Sequence, residues 1–460
     1  MEQPLSEIFA DHILRVEYAR LPPQAVERAR QSTLDTIGVI MAGSALEPSV
    51  NGLLELVLEA GGREECSVLG TSWKVPAIMA AFANGGMAHC LDYDDHTPQG
   101  HHPSSSVIPV SLALAERLGN VSGKKFLTAV ALGQDLFVRL RRNVVWRHDY
   151  HLTTILGVFS ATASAAYLLG LNRDQIASAF GIAGVQSSGC YELVEGVNNE
   201  LRGLYAGFVS KAAMVSALMA EKSIKGPHSI FEGAKGFFNV YFAGQYDRTK
   251  MLEGLGEIFQ GTELLYKPWP SVGLSHSFIH AACRLRAMDE FDLDSIETIK
   301  VYAGPGLIEL CEPLAERCNP KTGTDAKFSI PFNVALALVN GTVLPPDFQE
   351  AALQNRKVRD VAGKVVPVFD EQLSWNGPIP HGRVELRLKS GRTFGCIGDG
   401  VPGSEEAPMS WKDLVVKYKT CLRLARAQLS EERIEHTAQL IRGLEKQENL
   451  AQLPRLFAGG

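Results

Sequence analysis

The sequence lacks the short motifs from which a bound cofactor or metal is usually recognised. No Walker loop and no Gly-x-Ser-x-Gly elbow occurs among its 460 residues, and we expect no cofactor. The eight cysteines form no Cys-x-x-Cys pair, which excludes a zinc ribbon and a thioredoxin-type motif. Their scatter is typical of buried free thiols in a reducing cytoplasm, although three of them could still meet around an iron–sulfur cluster.

Long apolar runs and strong charge are also absent. No uninterrupted run of 18 apolar residues occurs, so we expect no membrane span. The first residues are amphipathic and acidic, unlike a signal peptide, and we expect a cytoplasmic protein. The net charge is -6 without a basic tract, which argues against nucleic acid as a partner. The composition, 45% hydrophobic and 21% charged, is that of a globular protein of two or three domains.

Helical periodicity dominates both ends of the chain and is interrupted in the middle. Residues 1–266 predict one helix after another, several of them rich in the small residues that let helix backbones approach closely. Residues 267–399 differ, because IETIKVYAG alternates like a strand and GRVELRLKSGRTFGCIG predicts a β-hairpin. Residues 400–460 are helical again. The sequence therefore predicts a mainly α fold, with a large all-helical domain built from both chain ends and a smaller inserted α+β domain.

The stretch HCLDYDDHTPQGHHPSSSVIP, residues 89–109, concentrates aspartate and histidine at a predicted helix junction. Loops at such junctions often carry functional side chains. Asp92 and His102 are candidates for proton transfer, because a histidine titrates near neutrality and an aspartate can orient it. Two alternatives remain open here: a solvated loop in which Asp94 and Asp95 are turn or cap residues, and a mononuclear metal site.

Four further positions carry candidate functional groups. His151 precedes an apolar helix and is either an acid/base group or a buried core histidine. Arg202 lies near a helix start, where it could clamp an anionic substrate or form a surface ion pair. Lys267 lies between a tyrosine and a proline. His276 shares a predicted helix face with His280, but the glutamate of a His-Glu-x-x-His metal motif is absent.

Three of these segments together resemble the MmgE/PrpD family. GMAHCLDYDDHTPQGHHPSSSVIPVSLALAE is similar to the family signature H-x-LDFDD…HP…P…ALAE. KPWPSVGLSH is similar to its KPYPSCG…H segment, and KFSIPFNVALAL to its KFSIPYAVALAL segment. The order and spacing agree, and the tail GVPGSEEAPMSWKDLVVKYKTC also fits, so the resemblance extends over nearly the whole chain. The family includes 2-methylcitrate dehydratase, cis-aconitate decarboxylase and iminodisuccinate epimerase.

The resemblance implies a large helical domain formed by both chain ends, with an inserted lid domain at 267–399. It also implies a homodimer and an interdomain cleft that works without cofactor or metal. Carried over by motif, the implied catalytic residues are Asp92, His102, His151, Lys267 and His276.

The implied substrate-binding positions are Arg202, His96 and Phe332, and all three depart from the family pattern. The family often has lysine at the position of Arg202, threonine at that of His96 and tyrosine at that of Phe332. Arg202 still supplies a positive charge, and a bidentate one. Phe332 cannot donate a hydrogen bond or a proton.

The resemblance also implies the chemistry, because family members make or break a bond beside a carboxylate. We expect a dehydratase-type lyase that acts on a hydroxy di- or tricarboxylate. His102, oriented by Asp92, would be the main acid/base group, with His151 or His276 acting on the other face. Lys267 and Arg202 would clamp the carboxylates. An epimerase, a decarboxylase and a non-catalytic carboxylate-binding protein are the alternatives.

Overall fold

The computed structural model describes residues 2–194, 199–373 and 380–459 and shows a mainly helical protein of two domains. Each domain has its own hydrophobic core. The larger core takes its residues from the first 266 positions and from the C-terminal tail, and the smaller core lies within residues 269–388. The predicted fold class, a large helical domain built from both chain ends with a smaller inserted α+β domain, is confirmed.

The helical domain takes its helices from both ends of the chain, together with a short ribbon of two strands. From the N-terminal part come α1 (Leu5–Arg15), α2 (Pro23–Leu46), α3 (Ser49–Glu59), α4 (Ala77–His89), α5 (Ser104–Leu118), α6 (Gly123–Arg142), α7 (Leu152–Leu169), α8 (Arg173–Gln186), α9 (Leu201–Glu221), α10 (Phe237–Phe242) and α11 (Arg248–Leu252). The ribbon pairs β1 (Cys66–Ser67) with β2 (Lys74–Val75). The tail adds α18 (Trp411–Arg423) and α19 (Glu431–Arg442), and α18 packs against α2.

Small residues bring α4 and α9 together, as the composition predicted. A Cβ atom on Gly85 would lie 2.8 Å from a carbonyl oxygen of α9, and one on Gly207 would lie 2.6 Å from a carbonyl oxygen of α4. A side chain at either position would therefore push the two helices apart. The contact positions functional groups, because α4 ends at His89 and α9 carries Arg202 in its first turn.

The most apolar helices lie against other helices. By length and composition, α7 and α9 could each cross a membrane, and α2 and α3 pass the same test as a pair bent by 96°. In the fold, 89% of the apolar window of α7 and 56% of that of α9 are buried inside the protein. The apolar sequence of α7 is thus explained by its place in the core.

The inserted domain packs helices on a four-stranded sheet of order β4-β3-β5-β6, in which only the β3–β4 pair is parallel. Its elements are α12 (His276–Arg286), β3 (Ile296–Ala303), α13 (Leu314–Cys318), α14 (Gly323–Lys327), α15 (Ile330–Asn340), α16 (Glu350–Leu353), α17 (Arg356–Ala362), β4 (Val365–Phe369), β5 (Arg383–Leu388) and β6 (Thr393–Ile397). The predicted hairpin is β5–β6, with Val384 and Leu386 buried. Residues 398–403 match Gly-x-Gly-x-x-Gly, but they lead into a loop and lack the following helix N-terminus that a dinucleotide site needs.

The helix after the His/Asp stretch begins at Ser104, so the last residues of the stretch, up to Pro109, already lie inside α5. The hydroxyls of Ser105 and Ser106 donate to the carbonyl oxygens of His102 (3.0 Å) and Pro103 (3.2 Å). These bonds tie the first turn of α5 to the end of the stretch. As a result, His102 lies directly before a buried helix and is held by it.

Candidate active site

A cavity of about 1080 Å³ opens between the two domains. Both domains contribute to its wall, and among the residues of the smaller domain are Glu309, Arg317 and Phe328. Most of the predicted site residues meet there although they are far apart in the sequence. Those that line the cavity are Asp92, His96, His102, His151, Arg202 and Lys267.

Lys267 and Asp92 form a buried ion pair in this wall. The Nζ of Lys267 contacts Asp92 Oδ1 and lies 3.1 Å from the Asp92 carbonyl oxygen. Asp92 has a φ of 49°, and such left-handed non-glycine residues cluster at functional sites. Burial acts to raise the pKa of Asp92, but Lys267, His89 and His102 outweigh it and hold this pKa below its ordinary value. The pair therefore keeps an ionised carboxylate beside an ammonium group.

Asp94 and Asp95, rather than Asp92, hold His102. The Nδ1 of His102 lies 2.8 Å from the carbonyl oxygen of Asp95 and 3.3 Å from Asp94 Oδ2. A carbonyl oxygen only accepts, so Nδ1 carries a hydrogen, which leaves Nε2 as the nitrogen available to exchange a proton. The orienting role predicted for Asp92 thus falls to its neighbours, which are fully buried and are not exposed turn residues. Among adjacent acidic residues, only the fold decides which carboxylate faces which ring.

Asp94 also connects His102 to His89, a residue that the sequence did not single out. The Nδ1 of His89 lies 2.9 Å from Asp94 Oδ1. Burial acts to raise the pKa of Asp94, but the two histidines hold it well below its ordinary value. Burial also lowers the pKa of His89. The sequence contains one clue to a functional role for His89: it begins the same motif, five positions before Asp94.

His151 has a buried ring nitrogen without a hydrogen-bond partner among the described residues. It occupies the position before α7 without capping the helix, and within the described chain its Nδ1 has no hydrogen-bond partner. Burial lowers the pKa of His151 well below its ordinary value, so the ring is neutral at pH 7. The ring of Tyr205 lies 4.4 Å from His151 and 4.4 Å from His89, measured between centroids. The sequence analysis did not identify Tyr205 as a site residue. The clue was that Tyr205 follows Arg202 by three positions, so both lie on one face of α9.

Arg202 reaches across the domain boundary. Its Cζ lies 3.2 Å from the ring centroid of Phe328, a planar contact that lysine could not make. Burial lowers the pKa of Arg202 to about 10, so the group stays charged at pH 7. The neighbouring Lys327 places its Nζ 2.9 Å from Glu47 Oε2 and 2.8 Å from the carbonyl oxygen of Cys90. A buried interdomain ion pair thus lies one residue before the phenylalanine that contacts Arg202.

Two predicted residues lie elsewhere. His276 lines a smaller neighbouring cavity of about 180 Å³, which shares His96 with the large one. Phe332 has no exposed surface and packs in the core of the smaller domain, where its backbone N–H is 3.0 Å from Ser329 Oγ. Phe332 is not in the wall of the large cavity, so we remove it from the substrate-binding set. A phenylalanine in place of tyrosine fits this apolar surrounding.

One group of side chains has the spacing of a metal site. Among the described residues, His89, Asp94 and His102 each offer one ligand atom within 4.8 Å of the others. Two imidazoles and one carboxylate suit a first-row transition metal. The same atoms also suit a proton-transfer network, because Asp94 already accepts a hydrogen bond from His89. Metal analysis of the purified protein separates these two readings.

The arrangement combines fixed positive charge with neutral imidazoles in one partly enclosed cavity. Lys267 and Arg202 can bind carboxylates and stabilise negative charge that develops beside them. His102 offers a lone pair at Nε2, and His151 offers a second neutral ring. Such a site suits removal and return of protons beside a carboxylate.

Comparison with known proteins identifies the two domains. Residues 7–249 match the MmgE/PrpD N-terminal domain, and residues 269–442 match the MmgE/PrpD C-terminal domain. Cis-aconitate decarboxylase of Homo sapiens is 24% identical over 477 residues, covering 100% of this chain and 95% of that protein. The same enzyme of Aspergillus terreus (strain NIH 2624 / FGSC A1156) is 23% identical, covering 95% and 92%. A 2-methylcitrate dehydratase of Salmonella typhimurium is 25% identical, covering 81% and 80%. The chain belongs to the MmgE/PrpD family.

Proposed function

We propose that the protein is a lyase that acts on a hydroxy tri- or dicarboxylate by proton transfer beside a carboxylate, with loss of water as the favoured reaction. The observation that carries the proposal is that cations and imidazoles from distant parts of the sequence share one interdomain cavity, five of which we assign to the reaction. They are Lys267, Arg202, His96, His102 and His151. The relatives add support, because they are named as dehydratases or decarboxylases of tricarboxylic acids.

Each group has a defined part in the proposed dehydration. The Nε2 of His102 takes the proton from the carbon beside a carboxylate, and the electron pair left on that carbon forms the new double bond as the C–O bond breaks. A second imidazole, His151, supplies the proton with which the hydroxyl leaves as water; its neutral ring first takes up that proton from solvent when the substrate carboxylates bind. Lys267 and Arg202 bind the carboxylates and stabilise the charge that builds up on them.

Decarboxylation is the second candidate. It is favoured by one observation: the decarboxylases match 95% to 100% of this chain, whereas the dehydratase matches 81%. In that reaction the carbanion left by loss of CO₂ takes a proton from one of the same imidazoles. Epimerisation needs the same removal and return of a proton and stays an alternative outcome of the test.

A single NMR experiment in D₂O tests the proposal. The pure protein is incubated with citrate, 2-methylcitrate or cis-aconitate. A new alkene signal from a hydroxy acid supports the dehydratase, and loss of a carboxyl group from cis-aconitate supports the decarboxylase. Deuterium beside a carboxylate without net reaction supports the epimerase. A shift in melting temperature with no exchange for any acid would show a binding protein and overturn the proposal.

We also propose that catalysis needs neither metal nor cofactor. The neutral rings and fixed cations already supply acid/base groups and charge stabilisation. Elemental analysis and activity after dialysis against a chelator test this directly. Loss of activity that is restored by one metal would contradict this proposal and make His89, Asp94 and His102 the candidate ligands.

A further inference from the structure

The large interdomain cavity and a smaller neighbouring cavity meet at His96. The large interdomain cavity and the smaller one of about 180 Å³ share His96 and Gly273 in their walls. The smaller cavity is formed where residues 398–406, the loop after β6, pack against residues 265–277. It therefore approaches the site from a direction that the substrate cavity does not use.

His96 is fixed by its backbone and by one ring nitrogen. Its backbone pairs with Leu265 through hydrogen bonds of 2.9 Å and 2.8 Å. Its Nδ1 lies 2.7 Å from the carbonyl oxygen of Thr97. Because that oxygen only accepts, Nδ1 is the protonated nitrogen and Nε2 carries the lone pair. The ring centroids of His96 and His102 lie 6.2 Å apart. The Nε2 atoms of both rings therefore belong to one site.

Protonatable side chains continue from His96 along the smaller cavity. His276 is buried in its wall, and its Nε2 lies 3.2 Å from the carbonyl oxygen of Ser271, which leaves Nδ1 as the acceptor. Farther out are His381 and Glu406, whose side chains are 45% and 61% exposed and approach within 3.8 Å. The cavity has room for several water molecules at about 30 Å³ each. Titratable groups thus mark both its buried and its exposed end.

We propose that the smaller cavity is a water-filled proton passage, and that His96 is a second acid/base group that exchanges its proton with solvent through it while substrate fills the large cavity. This inference rests on the proposed function. His96 receives at Nε2 the proton that His102 has taken from the substrate: the N–H bond on His102 breaks as the N–H bond on His96 forms, and the electron pair from the C–H bond stays on the substrate. His96 then passes that proton to a cavity water, from which it reaches solvent past His381 and Glu406. In a reaction that consumes a proton, the proton moves in the opposite direction, from solvent through the cavity water to His96.

The proposal also assigns a role to His276. His276 lines the smaller cavity, so it does not touch a substrate held by Lys267 and Arg202. It is a positioning residue for the passage, holding water next to His96. The chain thus departs from the family pattern, which has threonine at position 96, by placing an imidazole where the two cavities join.

Burial, and then the charge of Lys267, lower the pKa of His96 to about 3, so the ring is neutral and can accept a proton.

The first test is structural and needs no turnover. A crystal structure that resolves ordered water should show a hydrogen-bonded chain of waters from His96 Nε2 to His381. A closed or dry smaller cavity overturns the proposal, whatever reaction the protein catalyses.

The second test measures exchange against turnover with citrate, 2-methylcitrate and cis-aconitate in D₂O. Ser404→Trp fills the smaller cavity, and His381→Gln removes its outer base. Both should lower the deuterium incorporated into unreacted acid, per product formed, by about 10²-fold, the lower end of the range for one acid/base group. Added imidazole should restore exchange in His381→Gln and not in Ser404→Trp. The matched control, Ser390→Trp in the exposed β5–β6 turn, should behave as wild type.

A third variant tests His96 itself. Gln in His96→Gln keeps an N–H donor for the Thr97 carbonyl but has no base, so kcat should fall about 10²-fold or more with KM little changed. Wild-type exchange ratios in Ser404→Trp and His381→Gln, or full kcat in His96→Gln, overturn the inference while the proposed function stands. If the wild type reacts with none of the acids, the proposed function is overturned, and the role of His96 with it. The crystal structure still tests the water chain on its own.

Discussion

At the scale of single residues, the strongest expectation concerns His102. Its Nδ1–H is fixed by the carbonyl of Asp95 and the carboxylate of Asp94, which directs a free Nε2 lone pair into the site. His102→Gln should therefore lower kcat by about 10²–10⁴-fold. The measurement is steady-state turnover of whichever polycarboxylate reacts. His280→Gln, a histidine on α12 outside both cavities, is the control and should keep full activity, and a fully active His102→Gln would remove His102 from the mechanism.

A second residue-scale expectation concerns stability against pH. Burial raises the pKa of Asp95 from 3.8 to about 7, against the hydrogen bonds from Ser104 and Ser32 that lower it. A raised carboxyl pKa means that the stability contribution is present below pH 4 and is lost as pH rises through 7. Between pH 5 and pH 8 the wild type should thus lose about 2–3 kcal/mol that Asp95→Asn does not lose, at 1.36 kcal/mol for each pKa unit.

Urea unfolding of the two proteins at pH 5 and pH 8 checks this. Asp413→Asn is the control, because Asp413 is exposed and its pKa is lowered by hydrogen bonds within the Ser410 cap of α18, so it is ionised at both pH values. Its effect on stability should be the same at pH 5 and pH 8. An equal effect of Asp95→Asn at both pH values would show that the buried carboxyl group does not titrate between pH 5 and pH 8 and would contradict the raised pKa.

At the scale of elements, the contact between α14 and α2 decides how the small domain meets the site. Lys327 ends α14, and its Nζ binds Glu47 at the end of α2 with both side chains buried. Removing one partner leaves an unpaired buried charge, so Lys327→Met should cost about 3–5 kcal/mol. The double variant Lys327→Met/Glu47→Gln should recover part of that loss. Urea unfolding of both single variants and the double variant gives the coupling energy.

The same ion pair has a consequence at the site. Phe328 follows Lys327 and covers the guanidinium of Arg202 at 3.2 Å. If the pair positions Phe328, then Lys327→Met should raise KM for the substrate while kcat changes little, because carboxylate binding is what Arg202 serves. Unchanged KM together with reduced stability would confine Lys327 to a structural role.

The elements of the fold were largely predictable, whereas the partners of each side chain were not. Periodicity alone indicated the helices and the β5–β6 hairpin, because each buries one face. Motif spacing indicated Asp92, His102, Lys267 and Arg202, which all line the cavity. The sequence could not show that Asp94, and not Asp92, contacts His102, or that Asp92 pairs with Lys267. The left-handed backbone at Asp92 turns these nearby carboxylates toward different partners. Phe332 was misassigned because motif position does not show which face of α15 meets the core.

At the scale of the whole molecule, the surface of the helical domain carries the last expectation. Although α9 is apolar over most of its length, its surface includes Phe208, which is 50% exposed, and Leu201, which is 46% exposed. Val185 near the end of α8 is 84% exposed. Large exposed apolar side chains in neighbouring helices mark an interface, and two copies of one chain related by a twofold axis would cover the same face on each other. We propose that two copies of the chain form a homodimer, and that they meet through this face.

Light scattering on the eluting protein tests the dimer. The wild type should elute as a dimer, and Phe208→Asp should shift it toward monomer, because a carboxylate would be buried without a partner at the interface. Val416→Asp is the matched control: Val416 on α18 is 60% exposed but lies on the tail, so this variant should remain dimeric. A monomeric wild type would remove the dimer from the proposal. A dimer that survives Phe208→Asp but not Val416→Asp would move the interface from α9 to the C-terminal helices.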